Sequence, residues 1–180
     1  MHHAIFTIGH SNHSIEQFLR PLAEHQIDVL IDVRSYPRSK RYPHFSKIEL
    51  IAHLKSAGIA YRWSGKSLGG MRKASGPNPH TAISAASLKA FAVHMATPLF
   101  TNEMERVFEL SQNLNSCLMC AEADPYSCHR QLIADYATIA RYPVKHLNCG
   151  DDAQSHQLSD TLNIENGHLV YNKNSQQELF

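Results

Sequence analysis

Val29-Leu30-Ile31-Asp32-Val33-Arg34 is a nearly continuous apolar run that ends on charge. A strand with one face in water alternates apolar and polar residues, whereas a strand covered by helices on both faces does not. The run therefore reads as a central parallel strand. Parallel neighbours need long crossovers, usually helical, and the flanking sequence supplies them. Upstream, Ile5 to His10 is a first strand that stops at Gly9-His10-Ser11-Asn12. A helix opens at Ser14, where Gln17 completes a capping box and Ile15, Phe18, Leu19 and Leu22 form the buried stripe. Arg20-Pro21 falls inside that pattern, and a proline there predicts a kink or a break.

Downstream, Ser35 to His44 carries Pro37 and Pro43 and reads as a loop. A helix over about 46–56 stops at Gly58, and Ile59 to Trp63 is a third strand. Residues 64–87 are rich in Gly, Ser, Ala and Pro and carry basic side chains. Irregular segments longer than about 15 residues commonly act as lids or binding loops, and this one is expected to close over a site. Helices over about 88–96 and 101–113, a strand from Cys117 to Ala121, a helix to about Arg141 and a strand from Val144 to Leu147 complete the series. The alternation predicts one α/β domain over 1–150, a three-layer fold with a mostly parallel sheet of about five strands and helices on both faces, Rossmann-like or flavodoxin-like. Residues 151–180 read as a polar extension, where Asn166-Gly167 before Leu169-Val170-Tyr171 predicts a small hairpin.

Composition narrows the function classes. A hydrophobic content of 43% with 18% charged residues excludes a disordered chain. The net charge of +1 hides a segregation: residues 34–73 hold ten basic side chains against one acid, a net of +9, and the rest holds seven against fifteen, a net of −8. An anionic partner is expected at the positive part. No run reaches the roughly 18 apolar residues of a membrane span. The N-terminus lacks a basic leader, so no signal peptide is expected. The four cysteines cluster in one third of the chain, unlike a disulfide framework, and reduced thiols in the cytoplasm are expected.

In open parallel sheets, ligands bind at the carboxyl ends of the strands. Three strands here end in polar groups: His10-Ser11-Asn12-His13, Asp32-Val33-Arg34, and Cys120-Ala121-Glu122-Ala123-Asp124. With a period of two, Asp32 and Arg34 share a face, as do Cys120 and Glu122, while Cys117 and Met119 face the other way. Cys117-x-x-Cys120 therefore cannot chelate one ion, and the thirteen histidines form no pair at metal-ligand spacing beside a glutamate. Gly65-Lys66-Ser67 ends like a phosphate loop, but Ala60 stands where that motif needs glycine. Neither a metal nor another cofactor is expected.

Asp124-Pro125-Tyr126-Ser127-Cys128-His129-Arg130 is the most informative stretch. Asp124 or Ser127 is expected to cap a helix whose first turn holds Cys128, His129 and Arg130. Such a turn favours anions, Arg130 adds a bidentate fork, and the same field would lower the pKa of Cys128 and favour a thiolate; a buried structural cysteine is the open alternative. The basic segment leaves directly from the end of the second strand, with Tyr36, Tyr42, Phe45, Tyr61 and Trp63 interleaved as in surfaces that stack bases.

Four stretches in order resemble the bacterial and archaeal family catalogued as domain of unknown function 488. They are Thr7-Ile8-Gly9-His10-Ser11-Asn12; Ile31-Asp32-Val33-Arg34 with Pro37; Leu68-Gly69-Gly70-Met71-Arg72; and Met119-Cys120-Ala121-Glu122 followed by Cys128-His129-Arg130. The resemblance spans roughly residues 5–147 and implies a cytosolic α/β domain without specifying a reaction. It marks His10, Asn12, Asp32, Arg34, Arg72, Glu122, Cys128, His129 and Arg130 as motif positions.

Three readings remain open on the sequence. In the first, an enzyme acts on a nucleic acid or phosphorylated nucleoside, with N-glycosidic cleavage a fitting reaction. Asp32 and Glu122 are then the acid–base pair, and His10 is a further catalytic candidate. Asn12, Arg34, Tyr36, Arg38, Arg72, His129 and Arg130 are the anion and substrate binders. In the second, Cys128 is the nucleophile of thiol or sulfur-transfer chemistry. In the third, the protein binds nucleic acid without catalysis.

Overall fold

Five parallel strands and one short antiparallel strand form the sheet that places every polar strand end on one edge. The computed structural model describes residues 3–73, 77–150 and 152–173, so residues 74–76 of the expected lid and 174–180 of the expected extension lie outside the described residues. The elements run β1 (Ile5–Gly9), α1 (Ile15–Glu24), β2 (Val29–Asp32), α2 (Lys47–Ser56), β3 (Ala60–Trp63), α3 (Gly65–Leu68), α4 (Ala86–His94) and α5 (Pro98–Ser111). They continue with β4 (Ser116–Cys120), α6 (Arg130–Ile139), β5 (Val144–Leu147), β6 (Gln154–Ser155), β7 (Leu162–Glu165) and β8 (His168–Tyr171).

The strand order is β3-β2-β4-β1-β5-β6. β1, β2 and β4 are buried at every position, as covered parallel strands must be. Two cores flank the sheet. Phe18, Leu22, Leu50 and Leu54 of α1 and α2 pack with Ile8, Leu30, Cys117 and Met119 on one face. Phe91, Phe100, Met104, Leu132 and Ile133 of α4, α5 and α6 pack with Ile31, Leu118 and Cys120 on the other. The fold is the expected three-layer, Rossmann-like α/β domain. Doubly wound sheets commonly place β1 beside β2; here β4 lies between them. That insertion sets the ends of β1, β4 and β2 side by side.

Local departures have local causes. α1 runs unbroken through Pro21, which falls in the last turn of this ten-residue helix. Only the hydrogen bond its missing N–H would have made is lost. The segment expected to be a loop from residue 64 begins with the short helix α3, and α4 starts at Ala86. The Asn166-Gly167 turn has positive φ at both residues, 49° and 78°, and closes the expected hairpin β7–β8. The segment after residue 150 packs on the domain: β6 pairs with β5, and Tyr171 and His156 are buried. No helix among the described residues is long and apolar enough to cross a membrane.

Candidate functional site

A cleft of about 1140 Å³ opens where β1, β4 and β2 end. Of the expected site residues, His10, Asn12, Arg34, Tyr36, Arg38, Arg72, Glu122, Cys128 and His129 line it. Asp32 and Arg130 do not line it, because both are fully buried and bonded internally.

At the β2 side, Asp32 and Arg34 share a face as the strand period requires, and so they bind each other. Arg34 Nε donates to Asp32 Oδ1 at 2.9 Å and Nη2 to Oδ2 at 2.7 Å. Asp32 also accepts from the Arg34 backbone N–H at 3.0 Å and the Tyr61 hydroxyl at 2.9 Å. Four donors occupy both carboxylate oxygens, which removes Asp32 as a general acid or base. Its work is to orient Arg34. That guanidinium further donates to the Phe45 carbonyl at 2.9 Å and to His10 Nε2 at 3.2 Å. Burial first, and then the Arg34 charge, push the His10 pKa down to about 4, so its ring is neutral. Its Nδ1 donates to the Ser11 carbonyl at 2.9 Å. With both ring nitrogens engaged and the ring stacked on Phe45, His10 is cleft wall rather than proton carrier.

At the β4 side, the structure corrects the expected helix start. Asp124 accepts from the Tyr126 N–H at 2.9 Å and caps only a short 3₁₀ turn, Pro125–Ser127, after which Cys128 is extended at φ −132° and ψ 156°. α6 begins two residues later. Cys128 therefore precedes the helix, and its carbonyl and sulfur accept from the Gln131 and Arg130 N–H groups at 3.0 and 3.5 Å. The extended conformation swings the sulfur onto the end of β4. There it meets Cys120 Sγ at 3.0 Å, His129 Nδ1 at 3.3 Å and Glu122 Oε2 at 3.4 Å. The hydrogen bond from Cys120, followed by the bond and charge of His129 and the charge of Arg130, outweighs burial and pulls the Cys128 pKa down to about 3. Burial, together with donation to Cys128, pushes the Cys120 thiol well up. The two shifts run in opposite directions, so Cys128 is the sulfur of the pair that gives up its proton the more readily.

Arg130 is not the substrate fork expected of it. Its Nη2 donates to the Glu122 and Ala123 carbonyls at 2.6 and 3.0 Å, fixing the loop that carries Glu122. This close approach requires glycine at position 9, where a Cβ would collide with the Glu122 carbonyl. Nη1 donates to Thr7 Oγ1 at 3.3 Å, and the chain continues through His146 at 2.7 Å and His156 at 2.9 Å to Asp135 at 2.9 Å. Every link can point the same way, from the guanidinium to the carboxylate. Asp135 also accepts from the Tyr171 hydroxyl at 3.0 Å and the Ser159 N–H at 3.1 Å. The segment after residue 150 thus completes the support behind Arg130. Spacing gave no hint of this relay, whose members are scattered from residue 7 to residue 171.

The rim is basic. Arg38, Arg41 and Lys73 are exposed and line the cleft, as does Tyr36, which is 69% exposed. Arg72 reaches the cleft but is folded back, donating to the Gly69 and Lys66 carbonyls at 2.9 and 2.7 Å, so it braces the loop more than it offers a free fork. Gly70 packs directly on the His129 ring. Asn12 is exposed at the mouth, with its Oδ1 accepting from Ser11 at 3.3 Å.

Cys120, Glu122 and Cys128 offer donor atoms within 4.8 Å of one another, a set suited to a soft divalent ion. Cys117 faces the opposite core, which removes the Cys-x-x-Cys ligand pair for the reason expected. Cys120 is the residue that the sequence argument discarded with it. Two residues before Glu122 on one strand face, it carried a signal as the neighbour of whatever Glu122 approaches.

A scan against protein families matches residues 14–137, more than half of the chain, to the family described as Domain of unknown function DUF488. The chain belongs to this family. The DUF488 match includes Asp32, Arg34, Arg72, Glu122, Cys128, His129 and Arg130, while His10 and Asn12 precede it and His146, His156 and Tyr171 follow it. No curated protein and no solved structure matches the chain.

Proposed function

We propose that this DUF488 protein is an enzyme in which the Cys128 thiolate attacks an anionic, nucleotide-bearing substrate, with Glu122 carrying the proton. The observation behind this reading is the Cys128 sulfur itself, in contact with Cys120 Sγ at 3.0 Å and His129 Nδ1 at 3.3 Å on the cleft floor, contacts that pull its pKa down. A thiolate is a strong nucleophile that needs no separate base to activate it. The carboxylate-pair reading loses its second member, since Asp32 has no oxygen to spare. The cleft's basic rim and exposed Tyr36 support a substrate with phosphate and an aromatic base.

The reaction is a double displacement. The thiolate attacks an electrophilic carbon or phosphorus, the bond to the leaving group breaks, and the Glu122 carboxyl protonates the departing atom. Water, giving its proton to the Glu122 carboxylate, then cleaves the thio-adduct and returns the thiolate. The net result is hydrolysis, with no further reactant required.

Turnover of a panel of nucleotides, modified nucleosides and oligonucleotides tests the reading, with acid quenching and intact mass to capture the adduct. Cys128→Ser should abolish turnover and adduct together. Glu122→Gln should slow turnover by roughly a hundredfold or more, the usual scale of general acid–base catalysis. Full activity in Cys128→Ser would overturn the assignment.

A further inference from the structure

We propose that Cys120 and Cys128 form a reversible disulfide under hydroperoxides, and that this bond switches the site off. The inference rests on the reading of Cys128 as the reactive thiolate and adds a second, oxidative fate for the same sulfur. The two sulfurs are 3.0 Å apart, inside van der Waals contact, in residues eight apart in sequence. A disulfide bond is about 2.05 Å long, so the sulfurs need to close by about 1 Å. The remaining cysteines cannot compete. Cys117 lies in the core on the opposite face of the sheet, and Cys149 follows the end of β5 away from the cleft lining.

The two sulfurs differ in the way a peroxide reaction needs. Both border the cleft, and their surroundings pull them in opposite directions: the contacts of Cys128 with His129 and with the Arg130 N–H favour its anion, while burial holds the proton on Cys120. Glu122 Oε2 lies 3.3 Å from the Cys120 sulfur and 3.4 Å from that of Cys128, within reach of both protons that must move. In the first step the thiolate attacks the terminal oxygen of the hydroperoxide and the O–O bond breaks. The sulfur is oxidised by two electrons to a sulfenic acid, and the departing oxygen takes the proton of the Glu122 carboxyl, which leaves an alcohol or water and a Glu122 carboxylate. In the second step the Cys120 thiol gives its proton to Glu122 and its sulfur attacks that of Cys128. The S–O bond breaks, the hydroxyl leaves as water with that proton, and the S–S bond forms. A dithiol reductant returns two electrons and two protons by exchange. A resolving thiol this close also keeps the sulfenic acid from irreversible oxidation.

The disulfide removes the thiolate, and with it both the nucleophile and the anion beside Arg130. The test uses the full chain, reduced and then treated with a small excess of hydrogen peroxide. Intact mass should fall by two hydrogen atoms, peptide mapping should join Cys120 to Cys128, and iodoacetamide labelling of Cys128 should disappear and return with dithiothreitol. Cys120→Ser should instead accumulate a dimedone-reactive sulfenic acid at Cys128. Oxidation of wild-type Cys128 to sulfinic acid without a disulfide, or a disulfide that uses Cys149, would overturn the switch while leaving the nucleophile reading intact. A Cys128 alkylation rate that climbs with pH as a protonated thiol's does would overturn the nucleophile reading and the switch with it.

Discussion

The charge state of Cys128 is open to a direct measurement, the pH dependence of its alkylation. An ordinary cysteine, with a pKa near 8.5, is only about one part in a thousand ionised at about pH 5.5. Cys128, pulled down to about 3, is fully ionised there, roughly a thousandfold advantage in reactive species. The same depression weakens the nucleophile. With a Brønsted slope of about 0.45, a drop of about 5.5 units lowers the intrinsic rate roughly 300-fold. The two effects nearly cancel, so at about pH 5.5 Cys128 should react only about threefold faster than an ordinary thiol of equal access. At about pH 8.5 it should be roughly a hundredfold slower. Absolute speed is therefore a poor reporter, and the shape of the profile is the decisive one. Site-resolved iodoacetamide labelling by peptide mass spectrometry should give a rate for Cys128 that is flat from about pH 5 to about pH 9. Cys149, whose thiol burial pushes up, is the internal reference and should rise throughout that range. A Cys128 rate that climbs about tenfold per pH unit between about pH 6 and pH 8 would mean a protonated thiol and would refute the charge assignment.

Removing the carboxylate in Asp32→Asn leaves the Arg34 guanidinium buried with no anion, and stability measured by urea unfolding should fall by about 3–5 kcal/mol. Tyr171→Phe removes one of three donors to the buried Asp135 and should cost about 1.5–3 kcal/mol in the same assay, showing that the segment after residue 150 belongs to the fold. Stability should also fall with acid. Burial above all holds His10 at about 4 and His146 at about 3, below the unfolded value of about 6.5. The unfolded chain thus binds more protons in that interval, and stability that is complete above about pH 6.5 is lost as pH drops toward those values. His10 alone should account for about 3 kcal/mol between about pH 6.5 and pH 4, and an unfolding midpoint constant over that range would contradict its neutral, buried state.

The layers of the fold were legible because they rest on burial pattern. The nearly continuous apolar run at Val29–Val33 requires cover on both faces, and the capping box at Ser14 and Gln17 forms as expected. Strand order was not legible, since nothing in the residues of β4 marks it as the neighbour of both β1 and β2. At the site, period-two geometry put Asp32 and Arg34 on one face, but it could not say that nearness would make them neutralise each other. Asp124-Pro125 is a genuine capping signal that starts only a 3₁₀ turn, because the chain straightens at Cys128 before α6 begins. The Cys120–Cys128 contact depends on that straightening, and no spacing rule encodes it.

Two buried guanidiniums flank this cleft floor, and comparing them gives the strongest reason to place the chemistry at sulfur. A buried cation needs a compensating charge. Arg34 has one in direct contact, with both Asp32 oxygens bonded to it, and that pairing removes the carboxylate from use. Arg130 is more deeply buried and has no carboxylate within ion-pair distance among the described residues. Asp135 lies at the far end of a relay through Thr7, His146 and His156. The near side of the Arg130 guanidinium offers the Glu122 and Ala123 carbonyls and interacts with the two sulfurs, and of these only a sulfur can carry a full negative charge. Cys128 is the sulfur that accepts from the Arg130 N–H and the one whose pKa its surroundings pull down, which favours the charge there. The balance that ties up both oxygens of Asp32 is the same balance that favours an anion at Cys128 on the cleft floor.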